Sequence, residues 1–221
     1  MPSTFISAGS ISTPRGPGED SYPHKVRKRR LEKDYPKIAR RAKVEGAEIH
    51  WGDETGLRTN DVRGRSYSPK GKTPEIRVSR KQEGFSLISS VTNQGRLRWM
   101  VYEGALTAKI LLRFFRRLIR TADRNLFLIL DNLRVHHAKV VRAGLEKYPK
   151  RLEVFYLPSY SPELNPDERL NADLKQAVIS EAPARTKSQL KQATSRHLRR
   201  IAKSPQRVRS YFQHQPVRYA A

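Results

Sequence analysis

The strongest constraint on the fold is the run LFLIL at residues 126–130, which is followed directly by Asp131. An unbroken apolar run of this length is typical of a β-strand buried on both faces, because a half-buried strand alternates apolar and polar residues. A sheet that contains such a strand needs other elements packed on both of its sides. The run therefore predicts an α/β fold with residues 126–130 as an interior strand.

The segments around this strand predict a mixed sheet. Residues 107–122 place apolar side chains on one helical face and arginines largely on the other, with Thr107 as the N-cap. Two apolar runs within 84–106, joined at Asn93-Gln94-Gly95, indicate a β-hairpin. Further strands are predicted at 47–55 and 152–158, and further helices at 137–149, 162–180 and 187–212, the last with a break near Pro205.

This element order predicts an α/β fold in which the hairpin strands are antiparallel, the later strands are parallel, and helices flank the sheet. The composition divides the chain into four segments. They are a Ser-, Thr-, Pro- and Gly-rich segment at 1–24 expected to be disordered, a basic helical segment at 25–46, a main domain at 47–182 and a basic helical extension at 183–221. Residues 62–81 are basic and rich in Gly and Pro, which indicates a loop or a loose hairpin.

The charge points to a polyanionic partner. The chain has 45 Lys and Arg residues against 21 Asp and Glu, a formal net charge of +24. Such an excess repels itself unless anions are close, so nucleic acid is the leading partner, with a membrane surface or a ribosomal role as alternatives. The absence of cysteine excludes disulfides and thiolate zinc sites, and no apolar run approaches the ~20 residues of a membrane span. We therefore expect no membrane-spanning segment, and nucleic acid rather than a membrane as the partner.

Three acids fall at positions where sheets of this kind bind ligands. Asp53 ends the first predicted strand, Asp131 follows the buried strand, and Glu168 lies near the start of a helix. Clustered carboxylates repel one another, and a divalent cation such as Mg²⁺, which takes oxygen ligands, would remove the conflict. Each acid alone could instead be a turn or cap residue. Glu54 competes with Asp53, and Glu163, Asp167 or Asp173 could replace Glu168.

Three blocks carry a family resemblance: HWGDETGL at 50–57, LILDNLRVHH at 128–137 and YSPELNPDERL at 160–170. They resemble the signature blocks of DDE transposases, and most of all the bacterial insertion-sequence relatives of the mariner superfamily. The resemblance runs from about Glu48 to Glu181. It implies an RNase H-like domain with a five-stranded mixed sheet, and use of Mg²⁺ or Mn²⁺ as a pair of ions.

The resemblance also implies roles for individual residues. Asp53 is the first metal ligand, Asp131 the second and shared between both ions, and Glu168 the third, and together they form the catalytic set. Asn132 and His136 match the family's residues beside the second acid. His136 either touches phosphate or positions water, or it is an ordinary loop histidine. His137 and His50 are expected to be structural.

The implied function is metal-dependent DNA strand cleavage and strand transfer at transposon ends. The partners would be double-stranded DNA of the ends and of the target, bound by a homodimer in a bacterial cytoplasm, in association with the nucleoid. A catalytically silent, truncated remnant that binds DNA non-specifically is the alternative, and a structural nucleic-acid binder with no site is a third reading. The expected DNA contacts are Arg58, Arg63, Arg65, Lys70, Lys72, Arg196, Arg199 and Arg200.

Two features depart from the family pattern. The family commonly has Trp or another bulky residue at the position of Asn171, so asparagine is expected to loosen the helix that carries Glu168. Related enzymes also carry a helix-turn-helix region before the catalytic domain, whereas only 46 residues precede it here. A truncated copy, a frame-disrupted copy or a mispredicted start would each account for this, and sequence-specific binding by the chain alone is not expected.

Overall fold

The computed structural model describes residues 24–59, 83–158, 161–180, 184 and 186–221. Its strands are β1 (Glu48–Arg58), β2 (Gly84–Val91), β3 (Leu97–Tyr102), β4 (Leu126–Leu130) and β5 (Leu152–Tyr156). Its α-helices are α1 (His24–Glu45), α2 (Ala108–Thr121), α3 (Lys139–Leu145), α4 (Asp167–Ser180), α5 (Lys187–Ala202) and α6 (Pro205–Ser210). Short 3₁₀ helices lie at Arg134–His137, Pro162–Leu164, Tyr211–Gln213 and Gln215–Ala220.

The five strands form one mixed sheet in the order β3-β2-β1-β4-β5. β2 pairs antiparallel with both β1 and β3, while β4 pairs parallel with both β1 and β5. All five residues of β4 are buried. The predicted interior strand, the hairpin and the mixed sheet are therefore confirmed.

Successive side chains of each strand point to opposite faces of the sheet, so they pack into two separate cores. On one face, α2 packs Leu111, Phe114, Phe115 and Leu118 against the sheet. On the other face, α1, α4, α5 and the C-terminal turns share a core around Trp51. The Trp51 ring lies 5.6 Å from that of Tyr35 in α1 and 5.1 Å from that of Phe212. The segment boundaries at 46 and 182 remain predictions, but elements on both sides of each boundary contribute to this second core.

Helix α1 is fastened to the sheet by more than apolar contact. Arg41 forms a two-pronged ion pair with Glu153 of β5, with Nη1 3.0 Å from Oε1, and its guanidinium stacks 4.6 Å from the ring centre of Phe127. The helix runs through Pro36 and ends at Glu45, and the φ of +62° at the following Gly46 suits a glycine after a helix. A membrane-spanning role is not indicated for any helix of the described segments, since none is both long and apolar enough.

Several element bounds differ from the predictions. β1 continues to Arg58 rather than ending at 55, because its pairing with β2 extends to Arg58↔Gly84. β5 ends at Tyr156 rather than 158, because its partner β4 has only five residues to pair with. The predicted helix at 137–149 is shorter and follows a 3₁₀ turn. Of the segment 1–24 that was expected to be disordered, residues 1–23 lie outside the described residues, while His24 begins α1. The expected loop at 62–81 also lies outside the described residues.

The predicted helix at 162–180 is divided into a 3₁₀ turn and α4. Asn165, which separates the two, has an extended backbone with φ −95° and ψ 117°. A residue before proline is driven out of the α region by contact with the proline ring, and Pro166 follows here. The proline therefore sets where α4 begins.

Candidate active site

Asp53 and Asp131 lie at the same level on two neighbouring parallel strands. The last parallel pair between β1 and β4 is Trp51↔Ile129, and each aspartate lies two residues beyond it. Asp53 was predicted to end the first strand, but it lies inside β1, where the strand still pairs with β2 at Ser89. β4 instead ends at Leu130, one residue before Asp131.

The start of helix α4 is fixed to this part of the sheet by hydrogen bonds from two side chains. The side-chain amide of Asn165 donates to the main-chain oxygen of Gly52 at 3.0 Å, and its oxygen accepts from the Asp167 N–H at 3.1 Å. The hydroxyl of Ser89 donates to Asp167 at 2.6 Å. These bonds hold the first turn of α4, with Glu168, beside β1.

Gly52 allows the strands to approach closely at the site. A Cβ atom at this position would lie 2.9 Å from Leu130 Cδ2 and 3.0 Å from the main-chain oxygen of Ser89. Both distances are shorter than ordinary van der Waals contacts, so a side chain there would push β1 away from its neighbours. The glycine of the first signature block therefore has a steric role next to Asp53.

The carboxyl groups act on one another electrostatically. Burial raises the pKa of Asp53 well above its usual range, and the charges of Asp167, Glu168 and Asp131 raise it further. Burial likewise raises the pKa of Asp131 to about 7, with added contributions from Glu54 and Glu168. Folding thus brings together the three predicted acids, together with Glu54 and Asp167.

The acids that could replace Asp53 or Glu168 in the site have different surroundings. Asp167 is completely buried, and burial raises its pKa well above the usual range. Glu54 accepts a hydrogen bond from the Tyr102 hydroxyl. Asp173 belongs to a different cluster, in which it accepts hydrogen bonds from His197, Arg207 and Tyr211.

The environment of Asp173 gives it a structural role. Burial tends to raise its pKa, but the hydrogen bonds from Arg207, Tyr211 and His197 outweigh that effect and lower it. An ionised Asp173 therefore links α4 to α5 and to the C-terminal turns. Glu163 lies half-buried in the 3₁₀ turn before α4.

The loop after β4 holds Asp131 through its backbone. His136 is 2% exposed, and its Nδ1 donates to the main-chain oxygen of Asp131 at 2.8 Å. Burial lowers the pKa of His136 to about 4, so the ring is neutral at pH 7. His137 donates from Nε2 to the Asn132 side-chain oxygen at 2.5 Å. This burial favours a structural role for His136 over contact with phosphate.

Two further residues have clear structural surroundings. His50 is buried between Ser90 Oγ, 3.0 Å from its Nδ1, and Glu48, 3.3 Å from its Nε2. Asn171 was expected to loosen α4, but its side chain is 2% exposed and its Nδ2 donates to Asp53 Oδ2 at 2.8 Å. Sequence reasoning missed this contact, because only the fold brings the two side chains together.

The predicted DNA-contacting residues fall in two groups. Arg58 is exposed at the end of β1, and Arg196, Arg199 and Arg200 lie exposed on α5. The basic face of α5, formed by Lys191, Arg196, Arg199 and Arg200 together with Lys203 directly after the helix, lines a groove of about 700 Å³. Arg63, Arg65, Lys70 and Lys72 lie outside the described residues.

The carboxyl groups are ligands of the type that a divalent cation prefers, but their side chains are not arranged around a common point. Among the residues that the structure describes, no set of three or more His, Asp or Glu side chains is grouped so that it could hold a metal ion. The donor set nevertheless consists of carboxylates, the ligands that Mg²⁺ and Mn²⁺ take in proteins. Burial and mutual repulsion disfavour the ionised forms of Asp53 and Asp131, and a cation would relieve both effects.

Comparison with known proteins is consistent with this fold. The sequence matches the DDE superfamily endonuclease family over residues 48–191. No curated protein matches it significantly. Among solved structures, the chain is similar to the Mos1 strand transfer complex, with 21% identity, a TM-score of 0.65 and coverage of 94% of this chain and 64% of that chain. The catalytic domain of Mos1 mariner transposase matches with 19% identity, a TM-score of 0.61 and coverage of 90% and 92%.

The structural likeness establishes an RNase H-like fold, which confirms the predicted fold class. Because the family match covers well over half of the sequence, the chain belongs to the DDE superfamily endonuclease family. It spans about 64% of the length of the Mos1 chains in the strand transfer complex and in the mariner paired-end complex with Mn, which matches with 22% identity and a TM-score of 0.66.

Proposed function

We propose that this protein is the catalytic domain of a transposase, which cuts DNA strands at transposon ends and transfers them to target DNA. The observation that carries the proposal is the register of β1 and β4, which places Asp53 and Asp131 level on neighbouring strands with Glu168 beside them. This acidic site belongs to a chain with a net charge of +24. The excess positive charge suits the phosphate backbone, and the acids suit a cation.

Asp53, Asp131 and Glu168 would hold the cation, Mg²⁺ or Mn²⁺, as a pair of ions. The Mos1 catalytic domain has been solved with Mg and with Mn, which supports the choice of metals. A bound divalent cation would supply Lewis acidity at the scissile phosphate and favour deprotonation of the attacking hydroxyl or water.

The chain's own residues contribute orientation and access. His136 holds the Asp131 backbone in place, while the Asp131 side chain remains 35% exposed and can face a substrate. Asn165 holds the first turn of α4 against β1 and so keeps Glu168 near Asp53. Preorganised groups of this kind lower the cost of reaching the transition state, because they need not be ordered during the reaction.

The arginines of α5 would bind phosphates along the DNA backbone. From Lys187 to Ala221 the sequence contains no Asp or Glu, so this surface has no acids of its own to cancel its charge. The partner would be double-stranded DNA of the transposon ends and the target. Mos1 forms paired-end complexes, which supports a homodimer that holds two ends together. An origin in a bacterial insertion sequence, and action at the nucleoid in the cytoplasm, belong to the same proposal.

A strand-cleavage assay tests the proposed chemistry. The full chain is incubated with a supercoiled plasmid that carries the DNA flanking its coding sequence, with Mg²⁺, Mn²⁺ or EDTA. We expect metal-dependent nicking by the wild type and its loss in Asp131→Ala. Nicking that survives the substitution would contradict the proposal.

A second candidate function is a catalytically silent remnant that only binds DNA. The lack of a closed metal-holding group among the described side chains favours it. In the same assay, this candidate predicts DNA binding without metal-dependent nicking in either protein.

Salt dependence tests the basic face of α5 under both candidates. Replacing Arg199 and Arg200 with glutamine should weaken DNA binding, and the loss of affinity should be the same for duplexes of different sequence. The slope of log affinity against log salt should fall by about 0.9 for each phosphate that the variant no longer neutralises. An unchanged slope would show that Arg199 and Arg200 do not neutralise phosphates of the bound DNA.

A further inference from the structure

The side chain of Asn171 contacts the carboxyl group of Asp53 across 118 residues of sequence. The Asn171 amide nitrogen donates to Asp53 Oδ2 at 2.8 Å. Asn171 lies in α4 one turn after Glu168, so this bond joins the helix that carries one proposed ligand to the side chain of another.

The other end of the same amide is unpaired. The Asn171 side-chain oxygen is buried without a hydrogen-bond partner among the described residues. A buried, unpaired carbonyl destabilises a fold, and an apolar side chain of similar shape would avoid that cost. Packing alone therefore does not explain an asparagine at this position, whereas its hydrogen bond to Asp53 does.

The type of donor matters for a carboxylate that is to bind a cation. Lysine or arginine would neutralise the carboxylate and compete with the cation for it. An uncharged amide fixes one oxygen of Asp53 while leaving its negative charge in place. The Glu54 N–H also donates to this carboxyl group. Carboxylates that ligate metals are commonly held by such hydrogen bonds, and their loss typically weakens metal binding about 10- to 100-fold.

We propose that Asn171 is a positioning residue that orients the Asp53 carboxylate for the divalent cation. This inference rests on the proposed function, because the role of Asp53 as a ligand belongs to it. Asn171 acts through Asp53 and need not touch DNA.

The competing explanation is that Asn171 only anchors helix α4. The helix has other anchors, including the bond from the Tyr211 hydroxyl to Asp173 Oδ2 at 2.5 Å. Tyr211→Phe removes that bond while keeping the ring, and the bond lies at Asp173 rather than at Asp53. Tyr211→Phe is therefore the matched control, because it also removes one hydrogen bond to α4 but leaves Asp53 untouched.

The test measures Mn²⁺ binding by the full chain without DNA, by electron paramagnetic resonance of free Mn²⁺. Asn171→Leu should bind Mn²⁺ about 10- to 100-fold more weakly than the wild type. Tyr211→Phe should bind like the wild type. Thermal unfolding shows which variants are folded, and Asn171→Ala, which cannot introduce a clash, is tested beside Asn171→Leu.

The outcomes separate the two proposals. If the wild type does not bind Mn²⁺, or if Asp131→Ala binds it equally well, the proposed metal site itself fails. If binding requires Asp131 but any folded Asn171 variant keeps wild-type affinity, only the positioning role is overturned. Equal weakening in Asn171→Leu and Tyr211→Phe would also overturn it, since general anchoring of α4 would then explain both.

Discussion

The ring of His136 fixes the backbone of Asp131, because its Nδ1 donates to the Asp131 main-chain oxygen at 2.8 Å. The main-chain oxygen of His136 in turn accepts a hydrogen bond from the Tyr156 hydroxyl at 3.1 Å. The loop that follows β4 is thereby tied to β5. The position of the second proposed ligand thus depends on a neutral, buried histidine.

His136→Phe should lose a stability advantage that depends on pH. Burial lowers the pKa of His136 from 6.5 to about 4, so the unfolded chain binds a proton more readily than the folded one. The contribution of the histidine is fully present above about pH 6.5 and is lost as the pH falls towards 4. Urea unfolding at several pH values should show the wild type's advantage over the variant shrinking through this window. A difference that stays constant with pH would contradict this account.

Asp131→Asn should stabilise the metal-free protein at about pH 8 while abolishing cleavage. Burial raises the pKa of Asp131 from 3.8 to about 7, so ionisation disfavours the folded state as the pH rises through this range. Asparagine removes that charge and keeps the shape. Thermal unfolding in EDTA should show a higher Tm for the variant at about pH 8, with the gap closing near pH 4. A lower Tm for the variant at the higher pH would contradict the prediction.

Gly52→Ala should destabilise the protein and lower cleavage, because the new Cβ would lie 3.0 Å from the Ser89 main-chain oxygen, which is fixed in β2, and 2.9 Å from Leu130 Cδ2. Insertion of a methyl group into such a space costs about 1–3 kcal/mol. Gly56 lies in the same strand, and a Cβ there would have no atom within 4 Å. Gly56→Ala is therefore the control and should retain wild-type stability and cleavage in denaturation and nicking assays. Equal effects of the two substitutions would show that the close approach at Gly52 is unimportant.

Leu31→Ala should cost about 2–5 kcal/mol of unfolding free energy, although it lies in the segment outside the predicted main domain. Leu31 is fully buried in the core around Trp51. Val44, in the same helix, is 83% exposed, so Val44→Ala should change stability by less than about 0.5 kcal/mol. Chemical denaturation measures both. A small effect of Leu31→Ala would mean that α1 is dispensable for the fold.

The interior strand, the hairpin and helix α2 were predictable because local pattern decides them. The LFLIL run, the Asn93-Gln94-Gly95 turn and the Thr107 cap each act within a few residues, and each appears in the structure as expected. The family resemblance rested on three short blocks, and the match over residues 48–191 confirms it at the level of the endonuclease family. The insertion-sequence branch and the roles of the site residues remain proposals.

The sequence by itself determined that residues 126–130 form a buried strand followed by Asp131, and how the chain alternates between strand and helix, because these depend on residue type and local spacing. Only the tertiary structure decided that β1 continues past Asp53, that α1 joins the core, and that Asn171 meets Asp53. The physical reason is that these features depend on contacts between residues far apart in the chain. Strand register and helix packing bring such residues together, and no local pattern records them.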